Sequence, residues 1–261
     1  MTAPVLVTGG TGTLGRLVVV RLQSLGRDVR VLTRRPGSVG DGVQVARGDL
    51  ALGQGVEAAV AGIRTIVHCA GNATGDEVLA QHLVRAAAAA GVDHLVNISV
   101  VGADRVPVVS RLDRLMFGYF ASKLAAEQVV ARSGVPYTTL RATQFHDLVL
   151  TTARAMARLP VVPVPGVRFQ PVDADEVAGR LSELALGEPA GLVPELGGPQ
   201  VYAMADLLRD YLSAAHRRRP LVAVRAPGRA GRALRAGANL APDQAVGRRR
   251  WEDFLAERMA G

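Results

Sequence analysis

The sequence contains 261 residues, of which 49% are hydrophobic, 4% are aromatic and a single one is cysteine. This composition excludes a disordered chain, an intramolecular disulfide and, because charge or glycine interrupts the longest apolar runs, a membrane-spanning helix. We expect a cytoplasmic location, since the lone Cys69 suits a reducing compartment and the N-terminus lacks the pattern of a secretion signal.

The formal net charge of +8 comes from 31 basic and 23 acidic residues, and a high isoelectric point is one sign of nucleic-acid binding. The arginines are nevertheless scattered, with local clusters only at 217–219 and 248–250. No aromatic residues are interleaved with them to stack on bases. We therefore interpret the arginines as surface charge and expect no specific nucleic-acid partner and no membrane partner.

The first two thirds of the chain alternate short apolar runs with longer helical patterns. The Val- and Ile-rich runs predict strands buried on both faces, at Val5–Val7, Val29–Leu32, Val43–Val45, Ile66–Val67, Leu95–Ile98 and Thr138–Leu140. Helices are predicted between them, at Leu14–Leu25, Val56–Ala61, Glu77–Ala90 and Phe120–Ser133. This alternation predicts an α/β fold of the Rossmann type, a doubly wound parallel sheet with right-handed crossovers.

After about residue 142 the regularity fades. The Pro/Val stretch at Pro160–Pro165 is predicted to be extended, and residues 220–247 give no clear pattern. Three helices are predicted in this part, at Asp175–Leu186, Met204–Ala215 and Trp251–Met259. We predict a single Rossmann-type domain over residues 1–261, in which roughly residues 143–261 form a smaller lobe that covers the substrate.

The turn after the first predicted strand reads Thr8-Gly9-Gly10-Thr11-Gly12-Thr13-Leu14-Gly15 and opens the first predicted helix. Its spacing fits both Gly-x-Gly-x-x-Gly from Gly10 and Gly-x-x-Gly-x-x-Gly from Gly9. Glycines allow a tight turn and a close approach to a pyrophosphate, which the helix N-terminus attracts. Strand before and helix after predict a dinucleotide site, contacted by Gly9, Thr11, Gly12, Thr13, Leu14 and Gly15.

The ends of the next three strands extend this site. Arg34 and Arg35 stand where an acid would select NAD, and guanidinium groups suit a 2′-phosphate, so we predict NADPH/NADP+ as the cofactor. The alternative is a pair of surface arginines in an arginine-rich chain. Further predicted cofactor contacts follow the third and fourth strands: Asp49, which can accept a hydrogen bond from adenine, Leu50, Ala70 and Gly71.

The 31 basic residues include one lysine, Lys123, which follows Tyr119 by four positions in a Tyr-x-x-x-Lys pattern. On a helix these two side chains share a face, and a nearby ammonium lowers the pKa of a phenol. A tyrosine so placed can donate or accept a proton near neutral pH. From the spacing alone, a surface lysine that lies near a tyrosine by chance is an equally open reading.

These features together resemble the short-chain dehydrogenase/reductase superfamily, and within it the extended and atypical branch of NmrA-like NAD(P)-binding proteins. The resemblance is carried by the glycine turn, by Ser99 after the fifth predicted strand, and by Tyr119 and Lys123. The stretches Ser-Lys-Leu-Ala-Ala-Glu at 122–127 and Leu-Arg-Ala-Thr-Gln-Phe-His at 140–146 are also similar. The similarity extends over essentially the whole chain.

The resemblance implies a role for each residue that matches. Tyr119 would donate a proton to a carbonyl oxygen, or accept one from an alcohol. Lys123 would bind the nicotinamide ribose hydroxyls and lower the pKa of Tyr119, and Ser99 would bind the reacting oxygen, although Ser99 can also be a capping or turn serine. Gln144 and Phe145 would border the nicotinamide.

The Ser99–Tyr119–Lys123 set therefore predicts a reductase that uses NADPH on a ketone, enone or quinone-like small molecule, with secondary metabolism as one setting. The substrate is expected to be apolar or aromatic, since Met116, Phe117, Phe120 and Phe145 indicate either an apolar pocket or core packing. We expect a monomer or a homodimer and no metal. Two alternatives stay open: a non-catalytic NADP(H) sensor that binds a protein partner, and a redox-neutral cyclase, dehydratase or epimerase on the same fold.

Overall fold

A seven-stranded sheet is the centre of the computed structural model, which describes residues 3–35, 39–72 and 74–260. Its strands are Val5–Thr8 (β1), Val29–Thr33 (β2), Gln44–Arg47 (β3), Thr65–His68 (β4), His94–Val100 (β5), Tyr137–Ala142 (β6) and Gly191–Leu192 (β9). The strand order is β3-β2-β1-β4-β5-β6-β9 with parallel pairing, which is the doubly wound order and confirms the predicted fold. Each predicted strand lies at its expected place, although β3 extends two residues further than the pattern indicates.

The helices that follow these strands are Thr13–Ser24 (α1), Val56–Val60 (α2), Asp76–Ala90 (α3), Arg111–Ala131 (α4) and Ala174–Leu186 (α6). Their bounds agree with the predicted ones to within one or two residues, with α4 as the exception. Gly26, Gly91 and Gly134 lie just beyond α1, α3 and α4 with positive φ angles of 71°, 67° and 78°. They adopt the left-handed conformation that often ends a helix.

The prediction that α4 begins at Phe120 is wrong, because the helix already begins at Arg111. Ser110 and Asp113 form a reciprocal cap at its start: the Ser110 Oγ accepts the backbone N–H of Asp113, and the Asp113 carboxylate accepts the N–H of Ser110. This capping box is a recognised signal for a helix start. Tyr119 therefore lies well inside the helix rather than before it.

The chain divides into two compact units. The first contains Met1–Ser99, Ser122–Arg141 and Asp175–Pro194, and so includes most of the sheet. Its core packs strand side chains such as Leu6, Ile66 and Leu95 against helix side chains such as Leu83 and Val130, all of them almost fully buried. Burial on both faces explains the apolar composition of β1, β4 and β5. The prediction that the third strand is buried is wrong, because β3 ends the strand order and its Val45 is 44% exposed.

The second unit contains Val100–Ala121, Ala142–Ala174 and Glu195–Gly261. Its further helices are His146–Met156 (α5), Met204–Ala214 (α7), Gly228–Arg235 (α8) and Trp251–Met259 (α9). Two small sheets pair Val162–Pro165 (β7) with Leu221–Val224 (β11) in parallel, and Arg168–Phe169 (β8) with Tyr202–Ala203 (β10) in antiparallel fashion. None of the helices in the described ranges has the length and apolar character needed to cross a membrane.

Two helices of the second unit, α5 and α8, were not expected from the sequence. The segment of α5 includes three β-branched residues, and α8 contains two glycines in eight residues, so both have weak intrinsic helix propensity. Both nevertheless bury apolar residues, Val149 and Leu150 in α5 and Leu234 in α8. Tertiary packing, rather than propensity, therefore stabilises these helices.

Candidate functional site

The glycine turn between β1 and α1 has no room for side chains. Gly9 has a φ of +70°, and a Cβ built on it would lie 2.6 Å from the backbone nitrogen of Ala70. A Cβ on Gly15 would lie 2.1 Å from the carbonyl oxygen of Gly9, which also accepts the N–H of Gly12 at 2.9 Å. Gly9, Gly12 and Gly15 thus form the turn itself, while Gly10 packs against Val31.

The N-terminus of α1 fits a phosphate group. Its N-cap is Gly12, which has no side chain that could cap the helix, and its first turn contains no acidic residue. Thr11, Gly12 and Thr13 are exposed, whereas Leu14 is buried and anchors the helix in the core. The helix dipole and the backbone N–H groups of this end therefore favour an anion such as a dinucleotide pyrophosphate.

A basic recess lies at the carboxyl ends of β2 and β3. It has a volume of about 370 Å³ and is lined by Arg34, Arg47, Gly48, Asp49, Gln54 and Gly55. Two of the predicted residues, Arg34 and Asp49, line it, and the Asp49 carboxylate accepts the backbone N–H of Ala51 at 2.8 Å. Among the described residues, Arg35 does not line the recess. Leu50 is buried, and its carbonyl oxygen lies 2.6 Å from the His82 ring.

Arg47 is a lining residue that sequence reasoning missed. Parallel pairing places it opposite Thr33 in β2, immediately before Arg34. Its place in the recess could have been predicted, since the ends of adjacent parallel strands meet at one edge of the sheet. That prediction requires the correct end of β3, and the apolar pattern ended this strand two residues too early.

A buried polar pair supports the loop after β4. His68 and Thr8 end β4 and β1, and the His68 Nδ1 lies 2.7 Å from the Thr8 hydroxyl, which also accepts the N–H of Ala70 at 3.4 Å. The position of Ala70, a predicted cofactor contact, is thereby linked to two buried side chains. Burial, together with the charge of Lys123, lowers the pKa of His68 to about 4, so its ring is neutral at pH 7.

This neutral histidine predicts a loss of stability in mild acid. The unfolded chain takes up the proton near pH 6.5 and the folded chain only near pH 4, so the free energy of unfolding falls as the pH falls through this window. His68 alone contributes up to about 3 kcal/mol of this loss. Urea unfolding of the wild type and of His68→Gln near pH 7 and near pH 4 measures it. The prediction fails if both proteins lose the same stability.

Lys123 forms a buried ion pair with Asp76. Its Nζ lies 2.8 Å from the Asp76 Oδ2, and the two side chains are 10% and 1% exposed. Asp76 also accepts the backbone N–H of Asn72 through Oδ1 at 2.7 Å, and its own N–H donates to the Ser122 hydroxyl at 3.0 Å. A Cβ on Gly71 would lie 2.8 Å from the Nζ.

Asp76 was not predicted from the sequence. It is the first residue of α3, where an acidic side chain is common because it complements the helix dipole. That position alone indicates a capping role. Its contact with the single lysine of the chain becomes visible only in the folded structure.

The other two predicted catalytic residues occupy well-defined elements. Ser99 lies in β5, is 5% exposed, and its hydroxyl has no hydrogen-bond partner within the described ranges. It is therefore not a capping or turn serine. Tyr119 lies in α4 four residues before Lys123, is 38% exposed, and packs the edge of its ring against Phe120 at 6.0 Å. A separation of four residues places Tyr119 and Lys123 on the same side of a helix.

Gln144, Phe145 and His146 make hydrogen bonds and packing contacts within the second unit. The Gln144 carboxamide donates to the carbonyl oxygen of Asn239 at 3.1 Å and accepts the N–H of Gln170 at 3.2 Å. Phe145 is the N-cap residue of α5, and His146, the first residue of that helix, stacks on Phe254 at 5.0 Å. The ring of His146 is fully buried, which lowers its pKa and suits a packed residue rather than an acid.

The residues of α4 that indicated an apolar pocket or core packing differ in their exposure. Phe117 and Phe120 are partly buried and pack against the core of the second unit. Met116 is 49% exposed. Core packing therefore accounts for the two phenylalanines.

The two arginine clusters differ in their surroundings. Arg249 binds Asp173 and Glu257, and Arg250 donates to Gln200, so the cluster at 248–250 is tied to neighbouring side chains. The cluster at 217–219 and Arg209 line a cleft of about 660 Å³ in the second unit. Charge at 248–250 is thus partly neutralised within the fold.

We expect no tight nucleic-acid binding, because the cluster at 248–250 is partly neutralised and the cluster at 217–219 alone can contact few phosphates. A gel shift with random and genomic DNA at physiological salt measures this. Binding to several phosphates would fall steeply with salt, so a salt titration separates weak electrostatic contact from specific recognition. Sequence-selective binding at nanomolar concentration would contradict the prediction and favour a regulatory role.

The fold and the glycine turn define a dinucleotide-binding protein of the Rossmann class. A family model described as NAD(P)H-binding matches residues 9–162, which is more than half of the chain. The chain therefore belongs to this NAD(P)H-binding family. In the described ranges, no group of His, Cys, Asp and Glu side chains is arranged to hold a metal ion.

One curated relative is 33% identical over 161 residues, a (4-alkanoyl-5-oxo-2,5-dihydrofuran-3-yl)methyl phosphate reductase from Streptomyces griseus subsp. griseus. The match covers 60% of this chain and 54% of the relative, so the chain spans about half the length of that protein.

Two solved structures share the fold at low sequence identity. An NADPH-dependent quinone oxidoreductase from Escherichia coli, complexed with NADPH, has a TM-score of 0.81 and 17% identity, over 97% of this chain and 99% of that one. A triphenylmethane reductase from Citrobacter sp., complexed with NADP(H), has a TM-score of 0.76 and 18% identity, over 98% and 99%. These findings confirm the predicted NAD(P)-binding membership and the Rossmann-type fold.

Proposed function

We propose that the protein is an NADPH-dependent reductase of the short-chain dehydrogenase/reductase type that acts on a carbonyl, enone or quinone-like small molecule. The observation that carries this proposal is the burial of Lys123 against Gly71, in the loop that follows β4. Among 31 basic residues this is the single lysine, and it lies four residues after Tyr119 on one continuous helix.

Each residue of the proposed set has one task. When bound, the nicotinamide supplies the hydride. Tyr119 donates the proton that the reduced oxygen needs, and Lys123 binds the ribose hydroxyls and stabilises the phenolate that remains. Ser99 offers a buried hydroxyl, whose lack of a partner in the described ranges leaves its hydrogen-bonding capacity for the reacting oxygen.

The substrate class follows from what the related reductases share. The dihydrofuranone of the Streptomyces relative and the quinone of the Escherichia coli structure both have a carbonyl conjugated to a carbon–carbon double bond. Such compounds accept hydride and then need a proton on oxygen or carbon, which a tyrosine can provide. We therefore propose a conjugated carbonyl compound as the substrate.

NADPH is expected to bind more tightly than NADH, because Arg34 and Arg47 line the recess where the 2′-phosphate would lie. Each charge-assisted contact is worth about 1.5–3 kcal/mol, so its loss weakens NADPH binding about 10- to 150-fold. Titration of both cofactors into the wild type, Arg34→Ala, Arg35→Ala and Arg47→Ala measures this. We expect the smallest effect at Arg35, which does not line the recess.

The matched control is Arg132→Ala, which removes an exposed arginine just beyond the end of α4. It should leave both affinities unchanged. Equal wild-type affinities for NADPH and NADH, or an unchanged preference in Arg34→Ala/Arg47→Ala, would overturn the assignment of this recess.

The proposed reaction is tested with a panel of quinones, enones and ketones and the absorbance of NADPH. Consumption of NADPH with a 1:1 yield of reduced product supports a reductase. Tight NADPH binding without consumption across the panel favours the sensor. Product formation with no net change in NADPH favours a redox-neutral enzyme.

A further inference from the structure

We infer that Asp76 is a positioning residue for Lys123, and that it acts on dinucleotide binding and turnover through the lysine. The inference rests on the proposed function for the role of Lys123. The observation behind it is the contact of one buried carboxylate with the lysine helix and with the loop after β4.

The two oxygens of Asp76 have separate partners. Oδ1 accepts the backbone N–H of Asn72 and so fixes the loop that contains Gly71, a predicted cofactor contact. Oδ2 holds the ammonium of Lys123 on α4. The N–H of Asp76 donates to Ser122, the residue before the lysine, which adds a second link between α3 and α4. Asp76 thus sets the position of the ammonium relative to the cofactor loop.

A purely structural role explains this arrangement poorly. Removing two charges from water is unfavourable, and a buried ion pair often stabilises a fold no better than apolar side chains of similar size. The Asp76 side chain is only 1% exposed, so its desolvation is almost complete. Conversely, a lysine stem has several rotatable bonds, and a fixed carboxylate restricts them before a ligand arrives. The pair is therefore well suited to preorganise the lysine.

The space around the ammonium is narrow and restricts its position. The backbone of Gly71 closes one side, since a Cβ there would lie 2.8 Å from the Nζ and 3.2 Å from the Asp76 Oδ2. Without the carboxylate, the ammonium would leave this confined position for a better-solvated one. The lysine would then have to be brought back each time a dinucleotide binds.

The test is a double-mutant cycle on NADPH affinity, measured by fluorescence titration of the full-length protein. The variants are Asp76→Asn, which keeps the shape and an acceptor for the Asn72 N–H, Lys123→Met, and the double variant. We expect Asp76→Asn to weaken NADPH binding about 10- to 100-fold, the range found when a group that orients a metal-binding side chain is removed. In the Lys123→Met background the same change should have almost no effect.

Asp93→Asn is the matched control, because Asp93 belongs to the same unit and forms an exposed ion pair with Arg64. It should leave NADPH affinity unchanged. Thermal unfolding of every variant shows whether it is folded. If one unpaired buried charge prevents a single variant from folding, the double variant, which removes both charges, can still be measured.

The outcomes separate the inference from the proposed function. An equal loss of affinity on Asp76→Asn in both backgrounds, or no loss in either, overturns the inference. Strong coupling in NADPH affinity supports it even if no carbonyl compound is reduced, in which case the proposed reaction fails and the positioning role stands. If turnover is found, kcat/KM should follow the same non-additive pattern.

Discussion

Lys123→Arg is expected to lower kcat/KM about 10- to 150-fold while the protein stays folded, although arginine serves at every other basic position of the chain. This range corresponds to the loss of one hydrogen bond to a charged group, about 1.5–3 kcal/mol. The Nζ lies 2.8 Å from both the Asp76 carboxylate and the place of a Cβ on Gly71. A planar guanidinium is too wide for this space.

Tyr119→Phe should lower turnover by about 10²–10⁴-fold, the range typical for the removal of a general acid. NADPH affinity should fall in Lys123→Arg and remain nearly unchanged in Tyr119→Phe, because the phenol is proposed to touch the substrate and not the ribose. Steady-state kinetics and fluorescence titration of the two variants measure these differences.

The control for the lysine variant is the reverse exchange, Arg132→Lys, at an exposed position just beyond the end of α4. It should leave activity and cofactor binding unchanged. If Lys123→Arg and Tyr119→Phe both match the wild type on the true substrate, neither residue takes part in the chemistry and the reductase mechanism fails.

Gly15→Ala is expected to weaken NADPH binding by about 100-fold or more. The added Cβ would lie 2.1 Å from the carbonyl oxygen of Gly9, a backbone atom that no side-chain rotation can move away. The turn must open, and the N–H groups at the start of α1 then lose their alignment toward the pyrophosphate. Two charge-assisted hydrogen bonds of about 1.5–3 kcal/mol each account for the expected factor.

Gly179→Ala is the matched control for the glycine turn. Gly179 lies inside α6 in the same unit, and a Cβ there would meet nothing within 4 Å. The change should raise the free energy of unfolding by about 0.5–1 kcal/mol, since alanine is the better helix former, and should leave cofactor binding unchanged. Wild-type NADPH affinity in Gly15→Ala would contradict the role of the turn.

The sheet and the glycine turn could be predicted because their signals are local in the chain. Runs such as Val5–Val7 and Ile66–Val67 are apolar throughout, since parallel strands are buried on both faces. The glycine spacing predicts the turn directly. Arg34 could be predicted as a cofactor contact from its position at the end of β2 alone. Even the start of α4 was encoded locally, in the capping box of Ser110 and Asp113, which the prediction overlooked.

Other features depended on contacts between distant parts of the chain. The helices α5 and α8 have weak propensity and form because the second unit buries one side of each. Arg47 takes its place in the recess through its register with β2.

The sequence by itself determined the alternation of strands and helices in the first two thirds of the chain, the turn for a dinucleotide and the identity of a single lysine, because periodicity and residue chemistry act over a few neighbouring positions. The tertiary structure alone decided what that lysine contacts. The carboxylate of Asp76 reaches Lys123 only because α3 and α4 fold against each other, and Gly71 confines the ammonium only because the loop after β4 passes over it. Such contacts are set by packing, which no local pattern records.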